Sequence, residues 1–199
     1  MGAGKPVRTK KNPALWGRCE RCFMQDSVCI CHHIPTLHPS VELVIIRHWK
    51  ERLKPSNTAR LVSHAIPNLK LIDYGAPGST WDPTTLELSR PALLFPIDEA
   101  PVRNDPHQIV IVDGSWSQAR KLVNRIPNLK AIPQFTIQPT HQPRIRLRTP
   151  PAPGFVSTIE AVAAVINKID GPGSGNSLLT LFDEAVRAAT ITRGRPLHA

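Results

Sequence analysis

The sequence predicts an α/β fold: a mainly parallel sheet with helices on both faces, and a small N-terminal zinc knuckle beside it. Three observations lead there. The run Ile109 to Val112 is continuously apolar and β-branched, the pattern of a strand buried on both faces. Strands of this kind alternate with stretches of helical periodicity, as in sheets whose parallel strands are joined by crossover helices. All four cysteines lie between Cys19 and Cys31, which sets that segment apart.

In chain order, residues 1–15 read as a flexible basic tail carrying Lys5, Arg8, Lys10 and Lys11, either solvated or touching phosphate. Residues 16–38 form the knuckle, and 39–199 the main domain. Within that domain Val41 to His48 is the first strand. Asn57 to Ile66 follows as a helix with a polar residue at its cap. Leu69 to Gly75 is a second strand, stopped by Gly75, Pro77 and Gly78. The segment Pro91 to Ala100 holds a third strand that ends at Pro96, because proline cannot donate to a central ladder. Gln108 to Gly114 is the fourth, feeding a helix over Ser115 to Ile126. After a Pro-rich connection, Arg144 to Arg148 alternates charge with bulk, as a half-exposed strand does. Helices over Ser157 to Ile169 and Asn176 to Thr190, separated by "DGPGSG", complete the pattern.

Composition narrows the function. The chain has 199 residues, 41% of them hydrophobic, enough for one substantial core. No apolar run approaches the roughly 18 residues of a membrane span, and no secretory h-region is visible, so a cytoplasmic protein with no membrane partner is expected. Lys plus Arg exceed Asp plus Glu by 25 to 15, a formal charge of +10 that favours an extended anionic partner such as nucleic acid.

The spacing C-x2-C-x6-C-x-C offers Cys19, Cys22, Cys29 and Cys31 as four soft ligands to tetrahedral Zn2+. Disulfides between such near neighbours would close very small loops. A four-thiolate site leaves no coordination position for water, so a structural role is expected. His32 and His33 adjoin Cys31 and are alternative ligands; metal-free reduced thiols are the other alternative.

At the other end of the reading stands "VDGSW". Ligands of open parallel sheets collect beyond the carboxyl ends of the strands, where Asp113 sits. Its carboxylate has several uses there: capping the next helix, orienting a ligand, or accepting a proton from a weak acid. Trp116 is open to the same ambiguity, between core packing and stacking on a base or adenine.

Read in order, the Cys pattern, "KPSNTARL" (Lys54 to Leu61), "LLFP" (Leu93 to Pro96), "DGSW" followed by "QARKL", "RLRTPP" and "STIEAVAAVI" resemble the DTW-domain family of tRNA-uridine aminocarboxypropyltransferases. The resemblance runs from about Cys19 to Ala189, with Ser115 standing where the family's name-giving signature has threonine. It implies a SPOUT-like sheet threaded into a knot that binds S-adenosylmethionine. It implies transfer of the 3-amino-3-carboxypropyl group of that co-substrate to N3 of a uridine in tRNA, releasing methylthioadenosine. The family's cofactor-binding loops fall on Leu94, Phe95, Pro96, Asp113, Gly114, Ser115, Trp116, Ser157, Thr158 and Glu160, with Glu160 equally able to close a capping box with Ser157.

Uridine N3 retains its proton at neutral pH, so the reaction needs a base or a field that stabilises the anion. Asp113 is the candidate catalytic residue; proximity to a helix N-terminus is expected to keep it ionised. Lys54, Asn57, Arg60, Arg120, Lys121, Arg146 and Arg148 are the candidate RNA-facing set. A monomer acting on tRNA is the resulting expectation, with rRNA a further substrate class. Two other functions fit the same features: a SPOUT-type RNA methyltransferase using the same co-substrate, and a non-catalytic zinc-containing RNA-binding protein.

Overall fold

A computed structural model of the chain describes residues 16–79, 82–96, 100–138, 145, 147–148 and 155–193. The expected basic tail, together with Arg144 and Arg146, lies outside the described residues. Four strands form one sheet: β1 (Glu42–His48), β2 (Lys70–Tyr74), β3 (Pro91–Leu94) and β4 (Gln108–Asp113). The order across the sheet is β2-β1-β4-β3, and every pairing is parallel. The helices are α1 (Ala59–Ala65), α2 (Trp116–Arg125), α3 (Thr158–Ile169) and α4 (Asn176–Thr192).

Alternation along the strands divides the core into two layers. Leu43, Ile45, Ile109 and Ile111 face one side and join residues of α1, α3 and α4. Val44, Ile46, Leu93 and Val110 face the other, where Leu122 and Val123 of α2 cover them with Leu129 and Ile132. Every apolar residue named in these layers is at most 6% exposed, so both faces of the sheet are dry, as parallel sheets require. Among the described residues no helix is long and apolar enough to cross a membrane.

Two expected elements differ. Helix α1 starts at Ala59 rather than Asn57, because the side chains of Asn57 and Thr58 are drawn to partners across the sheet edge instead of lying on a helical turn. Of the strand expected at Arg144 to Arg148, the described Ile145, Leu147 and Arg148 make no ladder. Leu147 is buried in the core and Arg148 is held by side-chain bonds to Ser56 and Glu51, so the alternation reflects contacts with distant segments rather than strand pairing. The chain after α2 instead extends the sheet beside β3, with Leu93 N donating to Pro133 O at 2.8 Å and Phe135 N to Leu93 O at 2.9 Å.

The Cys-rich segment is built by tight turns. Gly17 (φ 69°) and Phe23 (φ 61°) both adopt left-handed backbone, and Cys19 and Met24 pair across the turn through Cys19 N donating to Met24 O at 2.9 Å. Cys22, Met24 and Ile30 belong to the same apolar cluster as Ile45, Val62 and Phe182, so the knuckle is seated on the α1, α3, α4 side.

Candidate active site

The chain moves from β1 outward to β2, then returns to the far edge at β3 and inserts β4 beside β1. This reversal between β1 and β4 is a topological switch point, where the loops leaving two adjacent strands diverge and open a crevice. The register places Arg47 of β1 directly between Asp73 of β2 and Asp113 of β4. Three charged residues thus form a row across the carboxyl edge.

Asp113 is 5% exposed, and its side chain does not cap α2. Ser115 does that, in a capping box: Gln118 N donates to Ser115 Oγ at 3.4 Å and Ser115 N to Gln118 Oε1 at 2.7 Å. The Asp113 carboxylate accepts instead from Asn57 Nδ2 at 2.6 Å and from the Thr158 hydroxyl. Asn57 in turn accepts from Arg47 Nη1 at 3.2 Å, and Arg47 grips Asp73 through Nε at 2.7 Å and Nη2 at 3.1 Å. Burial pushes the Asp113 carboxyl above its ordinary range, with Thr158, Asn57 and Arg47 opposing that push. The direction is opposite to the one expected from a helix N-terminus, because desolvation of a nearly inaccessible carboxylate outweighs the partners that favour its charge.

Two cavities open at this edge, and Asp113 borders the first of them. One, of about 490 Å3, is the more polar, bordered by Glu51, Ser56, Asn57, Asp113, Arg148 and Thr158 together with Leu147 and Phe182. The other, of about 460 Å3, is apolar and bordered by Leu94, Phe95, Pro96, Phe135, Ile137 and Ala161. Gly114, Trp116, Phe155, Val156 and Thr158 border both. Both volumes fall within the roughly 300–1,000 Å3 typical of small-ligand sites. Trp116 stacks on Phe95 at 4.9 Å between centroids and meets Phe155 edge-on at 4.6 Å, so it is a packed wall rather than a free stacking platform.

Most of the sequence-predicted cofactor loop residues converge here: Leu94, Phe95, Pro96, Asp113, Gly114, Ser115, Trp116, Ser157 and Thr158 all border one or both cavities. Glu160 does not. It is 4% exposed and its carboxylate accepts from Ser157 N at 2.8 Å and Ser157 Oγ at 2.7 Å, which closes the capping box of α3.

The expected RNA-facing set divides. Arg120 and Lys121 are exposed on α2, and Lys54 is exposed beyond β1. Asn57 and Arg60 are 4% and 6% exposed, so neither presents a polar head to solvent. Asn57 serves Asp113. Arg60 donates to the carbonyls of Arg52 at 2.8 Å and Lys54 at 3.1 Å and lies 3.3 Å from the Phe23 ring centroid, tying the loop after β1 to the knuckle. Its burial lowers its pKa to about 10. Arg148 donates through Nη2 to Glu51 Oε2 at 2.7 Å and through Nε to Ser56 Oγ at 2.7 Å, inside the polar cavity wall. Arg146 lies outside the described residues.

Sequence reasoning missed Arg47, Asp73 and Glu51. The signal was available in part: charged residues at the carboxyl ends of otherwise apolar strands, "VIIRH" and "LKLIDY", occupy the ligand-facing edge by the geometry of parallel sheets. Glu51 carries no such mark; it is wholly buried, with Lys54 Nζ at 2.5 Å and Arg148 as partners that hold its carboxyl below the usual range against the cost of burial.

At the knuckle, the four Sγ atoms lie within 4.8 Å of one another, with Cys19 to Cys31 at 3.5 Å and Cys22 to Cys29 at 3.8 Å. All four cysteines are free. Tetrahedral coordination at a Zn–S distance of about 2.3 Å sets sulfurs about 3.8 Å apart, so this arrangement fits one metal ion. Burial raises the Cys22 and Cys31 thiols, while the amides of Cys22 and Arg21 outweigh burial at Cys19 and bring it to about 7. So crowded a set ionises together only around a cation.

Comparison with known proteins fits this arrangement. The DTW domain family matches residues 17–190. The chain belongs to that family. Relatives include tRNA-uridine aminocarboxypropyltransferase 2 of Macaca fascicularis, 28% identical over 167 residues that cover 76% of this chain and 56% of the relative. The enzyme of the same name from Drosophila melanogaster is 26% identical over 169 residues, covering 76% of this chain and 66% of the relative. tRNA-uridine aminocarboxypropyltransferase A of Arabidopsis thaliana is 23% identical over 212 residues, covering 85% and 79%. The chain therefore spans about 56% and 66% of the first two relatives. No solved structure matches it. In this DTW domain the Asp of the signature loop ends β4, its Ser caps α2, and its Trp divides the two cavities.

Proposed function

We propose that this DTW domain transfers the 3-amino-3-carboxypropyl group of S-adenosylmethionine to N3 of a uridine in tRNA, on a SPOUT-type knotted sheet steadied by a structural Zn2+ at the four cysteines. The observation that carries the reading is the placement of Asp113. A carboxylate buried in the wall of the more polar cavity, beside Gly114 and Thr158, which border both cavities, suits a reaction that joins an adenosine-bearing donor to a weakly acidic nucleobase. The apolar cavity, walled by Phe95, Trp116 and Ile137, suits adenosine; the polar one suits the amino-acid arm and the uracil edge.

The bound donor supplies an activated sulfonium leaving group. Cleavage of its S–Cγ bond and formation of N3–Cγ would release methylthioadenosine, with the N3 proton passing to an acceptor. Asp113 is placed to accept that proton or to hold the imide edge while solvent takes it. Burial raises its affinity for a proton, and the donors from Asn57 and Thr158 fix its orientation. Ser115 caps α2 and Trp116 begins it, where the dipole of the helix favours anionic ligand groups.

Incubation with unmodified tRNA and S-adenosylmethionine labelled in the carboxyl or in the methyl group tests this. Carboxyl label in RNA, with methyl label leaving as methylthioadenosine, is the expected result. Methyl label in RNA would make the protein a methyltransferase, and no label in RNA would leave it an RNA-binding module.

A further inference from the structure

Arg148 keeps 38% of its side chain exposed, yet its guanidinium is held at two points. Its guanidinium has five N–H groups. Nε–H is used by Ser56 and one Nη2–H by Glu51. Among the described residues nothing accepts from Nη1. Glu51 is wholly buried, and a second cation, Lys54, already pairs with its other oxygen, so Glu51 anchors Arg148 from behind. The residue so held borders the same polar cavity as Asp113, Ser115 and Thr158. Two anions, Glu51 and Asp113, also border that cavity, so an arginine fixed between Glu51 and Ser56 supplies the cationic feature that an anionic ligand group needs there.

We propose that Arg148 recognises the α-carboxylate of the donor's amino-acid arm, and so sets which carbon of the donor is presented to the uridine. This rests on the function proposed above. A planar guanidinium matches a carboxylate through paired donors, and anchoring by Glu51 and Ser56 means that little conformational freedom is lost when the ligand arrives. Ligands that share the adenosine but lack the arm gain nothing from the contact.

Two ligands isolate it. S-adenosylhomocysteine carries the full amino-acid arm, and methylthioadenosine lacks it. Calorimetric titration of the full chain is expected to show that Arg148→Gln weakens S-adenosylhomocysteine by about 10-fold or more, the usual value of a charge-assisted hydrogen bond, while methylthioadenosine changes less than about 2-fold. Arg148→Lys, which keeps the charge but not the fork, is expected to fall between, and it carries the comparison if the glutamine variant does not fold. Equal weakening of both ligands would overturn the proposal by making Arg148 a packing residue. So would unchanged binding of both with a loss confined to tRNA affinity, which would return Arg148 to the RNA. If the unmodified protein binds neither ligand, the proposed function itself fails, a result distinct from failure at Arg148 alone.

Discussion

Asp113 is the residue on which the reading turns, and its surroundings separate two roles that the sequence left equal. Ser115 and Gln118 satisfy the start of α2, so Asp113→Asn removes a charge without removing a cap. The folded carboxyl binds its proton more tightly than the unfolded one, whose pKa is about 3.9. Its contribution to stability is therefore present at low pH and is lost as pH rises through the folded pKa, leaving a buried charge that opposes folding. Asp113→Asn is expected to melt at or above the unmodified protein at pH 7, with any advantage shrinking toward pH 4. Transfer by the same variant is expected to drop on the order of 100-fold, the usual contribution of a positioned proton acceptor. A melting point several degrees lower with near-normal transfer would make Asp113 part of the scaffold. The same shift predicts that the acid limb of the rate against pH lies above the ordinary carboxylate range; a rate still flat at pH 4 would assign proton removal to solvent.

At the scale of elements, the strands were legible because their apolar runs are long and the ends of β2, β3 and β4 carry Gly, Pro or Asp. The network at their ends was not, because Arg47 reaches Asp73 and Asn57 reaches Asp113 only after the sheet has brought distant segments together. The segment containing Arg148 misled for a related reason: alternation of charge and bulk identifies a strand only where a neighbour supplies a ladder. The close approach of α3 and α4 was equally invisible. Gly175, at the start of α4, has an ordinary φ of −93°, yet a Cβ there would meet the carbonyl oxygen of Ala163 and lie 2.9 Å from its Cα. Gly175→Ala is therefore expected to destabilise by about 1–3 kcal/mol through overpacking, although alanine suits the backbone. Urea unfolding would measure it, and an unchanged midpoint would mean that the helices separate freely. For the knuckle, elemental analysis is expected to find one zinc per chain, and Cys22→Ser to lose it and lower the melting point, since Cys22 is fully buried in the shared core. Absence of zinc in the purified protein, or a variant as stable as its parent, would make the cluster four inert thiols.

For the whole molecule, the charge of +10 was plain in the sequence, but which cations face outward was not. Folding withdraws Arg47 and Arg60 into the interior and commits Arg148 to Glu51. Among the described residues, exposed cations near the crevice include Lys50 beyond β1, Lys54 with its ammonium on Glu51, and Arg120 and Lys121 on α2. His48 reports how close these two groups lie: burial depresses its pKa first, Glu51 opposes that, and Lys50, Lys54 and Lys121 depress it further. A rim assembled from the segment after β1 and from helix α2 suits an RNA that must deliver one nucleotide to Asp113 while its backbone stays outside. Such binding releases counterions, and each lost phosphate contact is expected to reduce the slope of log affinity against log salt by about 0.7–0.9. Lys121→Ala and Arg120→Ala are each expected to flatten that slope by about one such step while leaving affinity for S-adenosylhomocysteine unchanged. Filter binding of tRNA across a salt series measures the slope. If it is shallow in the unmodified protein, or unmoved by both substitutions, the RNA enters over a different face and the α2 rim is only a solvated helix surface.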